Sequence, residues 1–576
     1  MPGAVLEELR SAAARCGAEA APEERWIIGH ARLAALFVRA GELAQGLADA
    51  AFEREGMDGL TQQHLMADAA LRRSATLLLR SWDSAQPASG AELAAIVDLL
   101  SRAANETPDA SIITKEGEGY AFYALYPEAY GIAARVLAGS GPTVIGLRSI
   151  GLGLAAIVAA RTAAPLSLSV RPVGHPFARG LVLAEALRAA LAERRCQPFA
   201  VVDEGPGLSG SSFAAAAQAL ERLGVPIARI HFFPSHPHPP GGAGAPHIRE
   251  RWQSAPRHVV TFDELVLQAD EPRHRLEAWV EDLTGEALAP LQDIGGGAWR
   301  ELKPYPLRPP ASARTERRKF LLRSARGTFL LRFAGLGRHG EACLHRATAL
   351  AEAGFAPPVL GLRHGFIVER WLDEGTPLDP RADRSRLIAR VADYVAYRAR
   401  RLAIESGGAD AMDLLCMARR NIGLTLGEAP ESPKVTALTP FDPAALNGRI
   451  RRCATDNRMH VWEWLRLPEG RIVKADGYDH CAGHDLAGCQ DIAWDVVGAR
   501  TEFSLDDSEF AQLTSRLGSW GVRPDAQLMA FYAPCYLALQ LGMFQLDAAA
   551  APTHLDRQSL QRRASFYRDA LERLRF

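Results

Sequence analysis

The chain has 576 residues, of which 48% are hydrophobic and 23% are charged, and its formal net charge is -1. That length exceeds what one hydrophobic core usually supports, so we expect two or three domains, and the near-neutral charge argues against nucleic acid as a partner. No apolar stretch is long enough to span a bilayer and the 8 cysteines include no CxxC pair, so we expect a cytoplasmic protein without a membrane partner.

Residues 1–105 predict a layer of helices. Apolar residues recur at three- and four-residue steps in LEELRSAAARC, ERWIIGHARLAALFVRAGELAQGLADAAF and ELAAIVDLLSRAAN. We interpret this region as a helical cap or interface.

Residues 106–268 predict strands that alternate with helices. The predicted strands are ASIITKEG, PTVIGLRS, LSLSVRPVG, FAVVDEG and ARIHFFP, and the predicted helices are GLGLAAIVAARTA, LAEALRAALAERR and SSFAAAAQALERLG. Alternation of this kind is typical of an α/β domain with a parallel sheet, and ligands of such sheets bind at the carboxyl ends of the strands.

The segment VVDEGPGLSGSS places two acids and a small-residue loop at one of these strand ends. Asp203 and Glu204 close the strand, and the loop that follows can wrap a phosphate with its backbone N–H groups. The loop residues are Gly207, Leu208, Ser209, Gly210 and Ser211. Since carboxylates repel phosphate, a sugar phosphate is the favoured ligand, with the acids on ribose hydroxyls. The alternative is a plain strand–turn–helix junction whose acids cap the helix.

This segment resembles the type I phosphoribosyltransferases, in which a strand and two acids precede a phosphate loop. PTVIGLRS resembles the turn that contacts pyrophosphate, which implies that role for Arg148 and Ser149. RPVGHPFARG lies where the family has a mobile catalytic loop, and KEGEGYAFYALYPEAYGIAARVL is similar to the entry of orotate-type members. The loop implies catalytic roles for Arg171, His175 and Arg179.

The resemblance implies a reaction and its cofactor. A nitrogen acceptor would displace pyrophosphate from phosphoribosyl pyrophosphate, or the reverse, with Mg²⁺ near Asp203 and Glu204. Orotate-type members commonly pair through this sheet, which implies a homodimer.

Residues 269–299 are predicted as a linker, and a second domain is predicted over 300–576. KFLLRSARGTFLLRFAG predicts a hairpin, followed by the helix GEACLHRATALAEAG, the strands PPVLGLRH and GFIVERWL, and mostly helical sequence.

The segment 455–499 of the second domain resembles the aminoglycoside phosphotransferase and choline kinase group. In one register Asp456 is the catalytic residue, Asp476 binds the metal, and DIAWDVVGA is the structural helix. In the other register Asp476 is catalytic and Asp491 binds the metal. We prefer the first, because VWEWLRL and RIVKAD then form the hairpin about PEG that this fold requires.

The first half of the second domain supports the same resemblance, which implies an ATP-binding, α+β protein-kinase-like fold. Arg332 stands where the family's ATP-binding lysine is expected, and Glu341 lies where its acidic partner belongs. FIVERWLDEGTPLD resembles a hinge, which implies that the nucleotide lies against Glu369 to Leu372. Ala454 stands in place of the motif's histidine, so a degenerate kinase-like domain is the alternative.

Together these segments predict a bifunctional enzyme of nucleotide metabolism. The first domain would make or break a phosphoribosyl bond, and the second, with ATP and Mg²⁺, would phosphorylate or recognise the nucleotide-like product. The alternatives are a regulatory protein that senses phosphoribosyl pyrophosphate or a nucleotide, and a scaffold without turnover.

Overall fold

The computed structural model describes residues 2–17, 25–107, 112–242, 244–312, 315–483 and 486–574. The protein is a mixed α/β structure that divides into two compact units. Unit 1 comprises Met1–Glu286, Phe333–Glu341 and Leu362–Phe366, and unit 2 comprises Ala287–Arg332, Ala342–Gly361 and Ile367–Phe576. Among the described residues, no helix combines the length and the apolar character needed to cross a bilayer.

The predicted helical layer is present at the start of unit 1. It contains α1 (Pro2–Gly17), α2 (Trp26–Glu55), α3 (Gln62–Ser84) and α4 (Gly90–Asn105). Two of these helices begin at side-chain caps. The Thr61 hydroxyl accepts a hydrogen bond from the N–H of His64, and Ser89 forms a capping box with Glu92. Such caps satisfy backbone donors that the first helical turn leaves free.

The remainder of unit 1 is built around strands and helices that alternate. In chain order the elements are α5 (Glu118–Phe122), α6 (Pro127–Ala133), β1 (Thr143–Leu147), α7 (Gly151–Thr162), β2 (Leu166–Val170), β3 (Val173–His175), β4 (Ala178–Gly180), α8 (Glu185–Glu193), β5 (Phe199–Val202), α9 (Ser211–Arg222), β6 (Ile230–Phe233), α10 (Pro246–Ser254) and α11 (Leu276–Thr284). The four-stranded sheet has the order β2-β1-β5-β6, and all its pairs are parallel. β3 and β4 form a separate hairpin.

One predicted strand of this region is wrong. Residues 112–117 of ASIITKEG are irregular, and residues 108–111 lie outside the described residues. The backbone N–H of Lys115 donates to the Gln45 side chain of α2 at 3.0 Å. The helical layer therefore provides a partner for this backbone that a sheet would otherwise supply.

The parallel sheet explains the position of the two acids. All four residues of β5 are buried, because both faces of this central strand are covered. Phe199 and Val201 pack in a core cluster with Leu187 of α8, Phe213 of α9 and Trp252 of α10. Asp203 and Glu204 therefore follow directly at the carboxyl edge of the sheet.

The second half of the chain starts with antiparallel strands and continues with helices. Its elements are β7 (Gln292–Asp293), β8 (Lys319–Ser324), β9 (Gly327–Phe333), α12 (Gly337–Glu352), β10 (Val359–Arg363), β11 (Phe366–Arg370), β12 (Thr376–Pro377), α13 (Arg384–Arg401), α14 (Ala411–Leu426), α15 (Pro433–Ala437), α16 (Pro443–Asn447), β13 (Arg452–Cys453), β14 (Trp464–Arg466), β15 (Ile472–Lys474), β16 (Gln490–Asp491), α17 (Ala493–Glu502), α18 (Asp507–Ser519), α19 (Ala526–Ala549) and α20 (His554–Glu572).

Two sheets of this half frame the predicted second site. The larger has the order β10-β11-β9-β8-β7, and the predicted hairpin of β8 and β9 turns between Ser324 and Gly327. The smaller has the order β12-β14-β15, and it includes the predicted hairpin about the turn PEG. Part of the predicted linker 269–299 is structured, because its residues 292–293 form β7 and pair with β8.

The helices of unit 2 share an aromatic core. Trp494 of α17 packs with Tyr532 and Tyr536 of α19, at ring-centroid distances of 5.3 and 5.6 Å. Tyr567 of α20 belongs to the same buried cluster. This core holds α17, the predicted structural helix, firmly in place.

A substitution at Gly146 tests the packing of α7 on β1, and a substitution at Gly29 of α2 is the control. A Cβ at Gly146 would lie 2.4 Å from the backbone oxygen of Gly151, so we expect Gly146→Ala to destabilise unit 1 by roughly 1–3 kcal/mol. Gly29 of α2 has nothing within 4 Å, so Gly29→Ala should stabilise by up to about 1 kcal/mol. Calorimetric thermal unfolding measures both. An unchanged transition in Gly146→Ala would contradict this close packing.

Candidate functional site

Asp456 lies in the loop after β13, and three side chains hold its buried carboxylate. Tyr394 donates its hydroxyl at 2.5 Å, His480 Nδ1 lies at 2.9 Å, and Lys474 Nζ lies at 3.2 Å. Burial alone would raise the pKa of Asp456, but Lys474 and His480 outweigh burial and hold that pKa well below its usual range. Asp456 is therefore a fixed negative charge.

Asp495 of α17 positions the backbone of this loop. Its carboxylate accepts the N–H of Asp456 at 2.7 Å and the N–H of Asn457 at 3.0 Å. Asn457 has a φ of +63°, so the chain turns sharply at this point. Arg398 completes the support by donating to the backbone oxygen of Ala454 at 2.8 Å. Asp495 of the DIAWD helix therefore fixes the backbone of the Asp456 loop.

His480 brings the two predicted acids of the second site together. Its Nδ1 lies 2.9 Å from Asp456 Oδ1, and its Nε2 lies 3.4 Å from Asp476 Oδ1. Burial lowers the pKa of His480, but the two carboxylates raise it to a net value of about 10, so the ring is an imidazolium. This histidine was interpreted from the sequence as a loop residue without a role at the site, although it follows Asp476 by only four positions.

Arg332 of β9 is buried and faces Asp476. Its Nη1 donates to Asp476, its Nε donates to the Tyr478 hydroxyl at 2.6 Å, and Glu369 Oε2 lies 3.9 Å from Nε. Burial raises the pKa of Glu369 to about 7, although Arg332 opposes this shift. The predicted site residues Arg332, Glu369, Asp456 and Asp476 therefore belong to one network.

Two predicted nucleotide-site residues, Glu341 and Leu372, do not belong to this network of charged side chains. Glu341 is exposed and belongs to unit 1, and Arg332 has Asp476 as its acidic partner within unit 2. Leu372 follows β11, and its backbone oxygen accepts a hydrogen bond from Lys303 Nζ at 2.5 Å.

A cavity of about 200 Å³ opens beside this network in unit 2. Aromatic side chains and charged groups share its wall, a composition typical of small-molecule sites. The aromatic lining residues are Trp299, Tyr305, Trp371, Trp462 and Phe544, and the charged ones include Lys319, Arg332, Arg458, Asp476 and Asp479.

The carboxylates beside the cavity suit a magnesium ion in their chemistry. Ligand atoms of Asp476, Asp479 and His480 lie within 4.8 Å of one another, and only the two aspartates offer free electron pairs to a metal, because His480 is an imidazolium. Oδ1 of Asp479 is buried without a hydrogen-bond partner, and carboxylate oxygens are the ligands that Mg²⁺ prefers. The second oxygen of Asp479 lies 3.4 Å from Arg317. Asp476 and Asp479 therefore fit a magnesium ion. Neighbouring cations already balance part of the charge of these two aspartates.

In unit 1 a second cavity, of about 980 Å³, lies at the carboxyl edge of the parallel sheet. Asp203, Glu204, Gly207, Arg148 and Ser149 contribute to its lining. Burial raises the pKa of Asp203, and burial together with Glu118 raises the pKa of Glu204 to about 7. A ligand that donates hydrogen bonds or brings a cation would relieve this destabilised pair.

The loop after the two acids has a backbone conformation suited to binding an anion, but its serine hydroxyls already donate hydrogen bonds within the protein. Gly207 and Gly210 adopt positive φ values of 57° and 68°. Ser209 and Ser211 donate their hydroxyls to the backbone oxygen of Pro176 at 2.9 and 2.7 Å, and Leu208 is exposed. The loop is therefore closed against the β3–β4 hairpin.

The predicted catalytic cations of unit 1 have partners of their own. Arg148 pairs with Asp58 and lies 3.3 Å from Asp49, and Arg171 Nε donates to Asp49 at 2.7 Å. His175 is exposed on the hairpin, where its Nδ1 accepts the N–H of Phe177 at 3.3 Å. Arg179 of β4 donates to the backbone oxygen of Gly174 at 2.9 Å. The acids and these four residues thus share one unit without direct pairing in the described contacts.

Several solved kinase structures are similar to about half of this chain. Choline kinase LicA from Streptococcus pneumoniae is 12% identical, with 50% of this chain and 96% of that chain covered and a TM-score of 0.35. A spectinomycin phosphotransferase, APH(9)-Ia, solved with ADP and spectinomycin, is 11% identical, with coverages of 52% and 95% and a TM-score of 0.34. A choline/ethanolamine kinase family protein from Mesorhizobium loti is 16% identical, with coverages of 53% and 92% and a TM-score of 0.33.

No family model matches the chain, and no curated protein matches it.

The support that Asp495 gives to the Asp456 loop can be tested by substitution. Asp495→Asn replaces one acceptor oxygen by a donor that opposes a backbone N–H and leaves Arg398 without its buried charge partner, so we expect a loss of about 3 kcal/mol in unfolding free energy. Asp507→Asn is the matched control, because Asp507 is 96% exposed. Urea unfolding followed by tryptophan fluorescence measures both. Equal stability of the two variants would show that Asp495 does not support the loop.

Proposed function

We propose that unit 2 is an ATP-dependent phosphotransferase that acts on a hydroxyl group of a small molecule. The observation that carries this proposal is the pair of carboxylates from two different segments, Asp456 and Asp476, joined by one histidine beside a cavity. Phosphoryl transfer needs an acid beside the acceptor hydroxyl and concentrated positive charge around the phosphates, and this site supplies both.

Asp456 would orient the acceptor hydroxyl. Its low pKa keeps it ionised at neutral pH, so it can accept a hydrogen bond from the hydroxyl and take the proton late in the transfer. The network around Tyr394, Lys474 and His480 fixes its position. Such pre-organisation is where most of the catalytic effect of a phosphotransferase arises.

Arg332 and Lys319 would neutralise the phosphates. Lys319 Nζ lies 3.8 Å from Asp476 Oδ2, beside Arg332. A guanidinium presents a planar set of donors, so Arg332 would bind two phosphate oxygens at once, where a lysine acts as a point charge. A bound phosphate would compete with Asp476 for Arg332.

Asp476 and Asp479 would hold a magnesium ion, which would supply positive charge for the phosphates. The nucleotide would lie against the segment from Glu369 to Leu372, where Trp371 lines the cavity. The part of Glu341 in nucleotide binding stays a prediction.

Nucleotide binding tests the site directly. We expect Mg²⁺-dependent ATP binding in calorimetry, weakened at least about tenfold, or 1.4 kcal/mol, in Asp476→Asn. Asp456→Asn should keep binding but slow ATP turnover by roughly 10²–10⁴-fold. Glu469→Gln, on the exposed turn of the β14–β15 hairpin, is the control and should resemble wild type. A folded wild type that binds no ATP would overturn the proposal.

A second function is favoured by a specific observation in unit 1. Two acids with raised pKa values line a large cavity at the carboxyl edge of a parallel sheet, next to a loop with two left-handed glycines. These features support phosphoribosyl transfer, with Asp203 and Glu204 on ribose hydroxyls and the loop from Gly207 to Ser211 on the 5′-phosphate. For a phosphate to reach the loop hydroxyls, the hairpin with His175 and Arg179 would move away from Ser209.

The acceptor would be a nitrogen base. Arg148 and Arg171 would face pyrophosphate after exchange of their aspartate partners, and Ser149 would face it beside Arg148. A regulatory role at the same cavity predicts binding of phosphoribosyl pyrophosphate without release of pyrophosphate. The homodimer implied by the resemblance belongs to this same proposal.

Titration of phosphoribosyl pyrophosphate with Mg²⁺ tests the second function. We expect binding by the wild type and a loss of at least about tenfold in the double variant Asp203→Asn/Glu204→Gln, because the ribose hydroxyls lose their acceptors. Glu185→Gln is the control, since Glu185 is an exposed residue of α8. Equal affinity in the double variant would contradict the role assigned to the two acids. Absence of binding by the wild type would contradict the proposal of phosphoribosyl transfer.

A further inference from the structure

We propose that unit 1 contains a buried zinc site formed by His30, Glu128 and His364. The three residues come from α2, from α6 and from the turn between β10 and β11, and all three belong to unit 1. They lie outside both cavities described above, so the site is independent of the two proposed activities.

The ligand atoms already have the spacing of a metal site. His30 Nε2 lies 2.9 Å from Glu128 Oε1, and His364 Nε2 lies 3.7 Å from the same oxygen. Ligands about 2.0–2.1 Å from a zinc ion at tetrahedral angles lie roughly 3.3 Å apart, and the two observed distances bracket that value. All three side chains are completely buried.

Unsatisfied atoms of the cluster point to a missing partner. Both ring nitrogens of His364 and Oε2 of Glu128 are buried without a hydrogen-bond partner. A buried polar atom left in this state destabilises the fold, and three such atoms in one cluster are unusual for a native interior. A metal ion would satisfy the carboxylate and one nitrogen of His364 together.

Neighbouring residues aim the two imidazoles. Ser81 Oγ lies 3.0 Å from His30 Nδ1, which leaves Nε2 directed at Glu128. For His364 the contact is to the backbone: the Tyr126 hydroxyl donates to its backbone oxygen at 2.8 Å, which holds the turn that carries the ring, and φ is +40°. Outer contacts of this kind fix the orientation of metal-binding histidines.

The surroundings exclude water and favour neutral imidazoles. Trp26 stacks on His30 at 5.1 Å between ring centroids, and Trp279 meets His364 edge-on at 5.1 Å. The neutral imidazole is the form that binds metal, and the complete burial of both rings favours that form. Two imidazole nitrogens and a carboxylate suit zinc, whereas Mg²⁺ and Ca²⁺ prefer oxygen ligands.

The site would have a structural role in unit 1. It ties two helices to the turn Leu362–Phe366, which is distant from them in sequence. Because a metal that binds only the folded state adds its binding free energy to folding, the ion would stabilise unit 1 as a whole.

Metal content tests the proposal on the full chain. After production with added zinc and gel filtration, elemental analysis should find about one zinc per chain in the wild type and at least about tenfold less in Glu128→Gln and His364→Gln. His274→Gln is the matched control, because His274 stacks on Trp82 in the same aromatic cluster without joining the three ligands, and it should keep its zinc. A wild type without stoichiometric metal overturns the proposal, and so does a folded His364→Gln variant with unchanged zinc.

Cobalt substitution decides the matter if the variants do not fold. Wild-type protein loaded with Co²⁺ should show the visible absorption of a low-coordinate ion, and X-ray absorption should report imidazole nitrogen ligands. Cobalt that stays six-coordinate and fully hydrated would refute the site. A different metal bound stoichiometrically at these ligands would overturn the choice of zinc.

Discussion

The structure of unit 2 depends on the burial of a charged lysine against a charged aspartate. Lys474 and Asp456 are both withdrawn from water, which is costly unless each charge has close partners. Lys474 therefore binds Asp456 and Glu463 and donates to the backbone oxygen of Arg458 at 2.7 Å, while Asp456 binds Tyr394 and His480. Removing Lys474 or Asp456 would leave a buried charge without its partner. The Asp456 loop, the β14–β15 hairpin and α13 are therefore held together by this network.

The same constraint gives the two units different kinds of site. In unit 2 Asp456 and Asp476 meet cations, and their pKa values are lowered despite burial, whereas the pKa of Glu369 stays raised. In unit 1 Asp203 and Glu204 are half-buried and adjacent, and Glu118 lies near Glu204, so loss of solvation and like charge raise their pKa values. One site is thus balanced by the protein's own cations, and the other lacks such balance and gains from a ligand that supplies it.

Local sequence patterns predicted the elements but not the partners. The alternation of apolar runs gave the parallel strands, because a central strand is covered on both faces, and the hairpin of β14 and β15 followed from the turn PEG. Arg148 and Arg171 were predicted to face pyrophosphate, yet their pairing with Asp49 and Asp58 depends on residues about a hundred positions away. His480 and Asp479 were not assigned to the site, because only the folded chain brings them beside Asp456 and Arg317.

The discontinuity of unit 1 has a consequence for its synthesis. Phe333–Glu341 and Leu362–Phe366 belong to unit 1 although much of unit 2 precedes and follows them in the chain. A ribosome must therefore translate past residue 366 before the aromatic cluster around His30 can close on His364. Until then Glu128 lacks His364 as a neighbour. The interior of unit 1 is therefore completed only after the first strands of unit 2 have been synthesised.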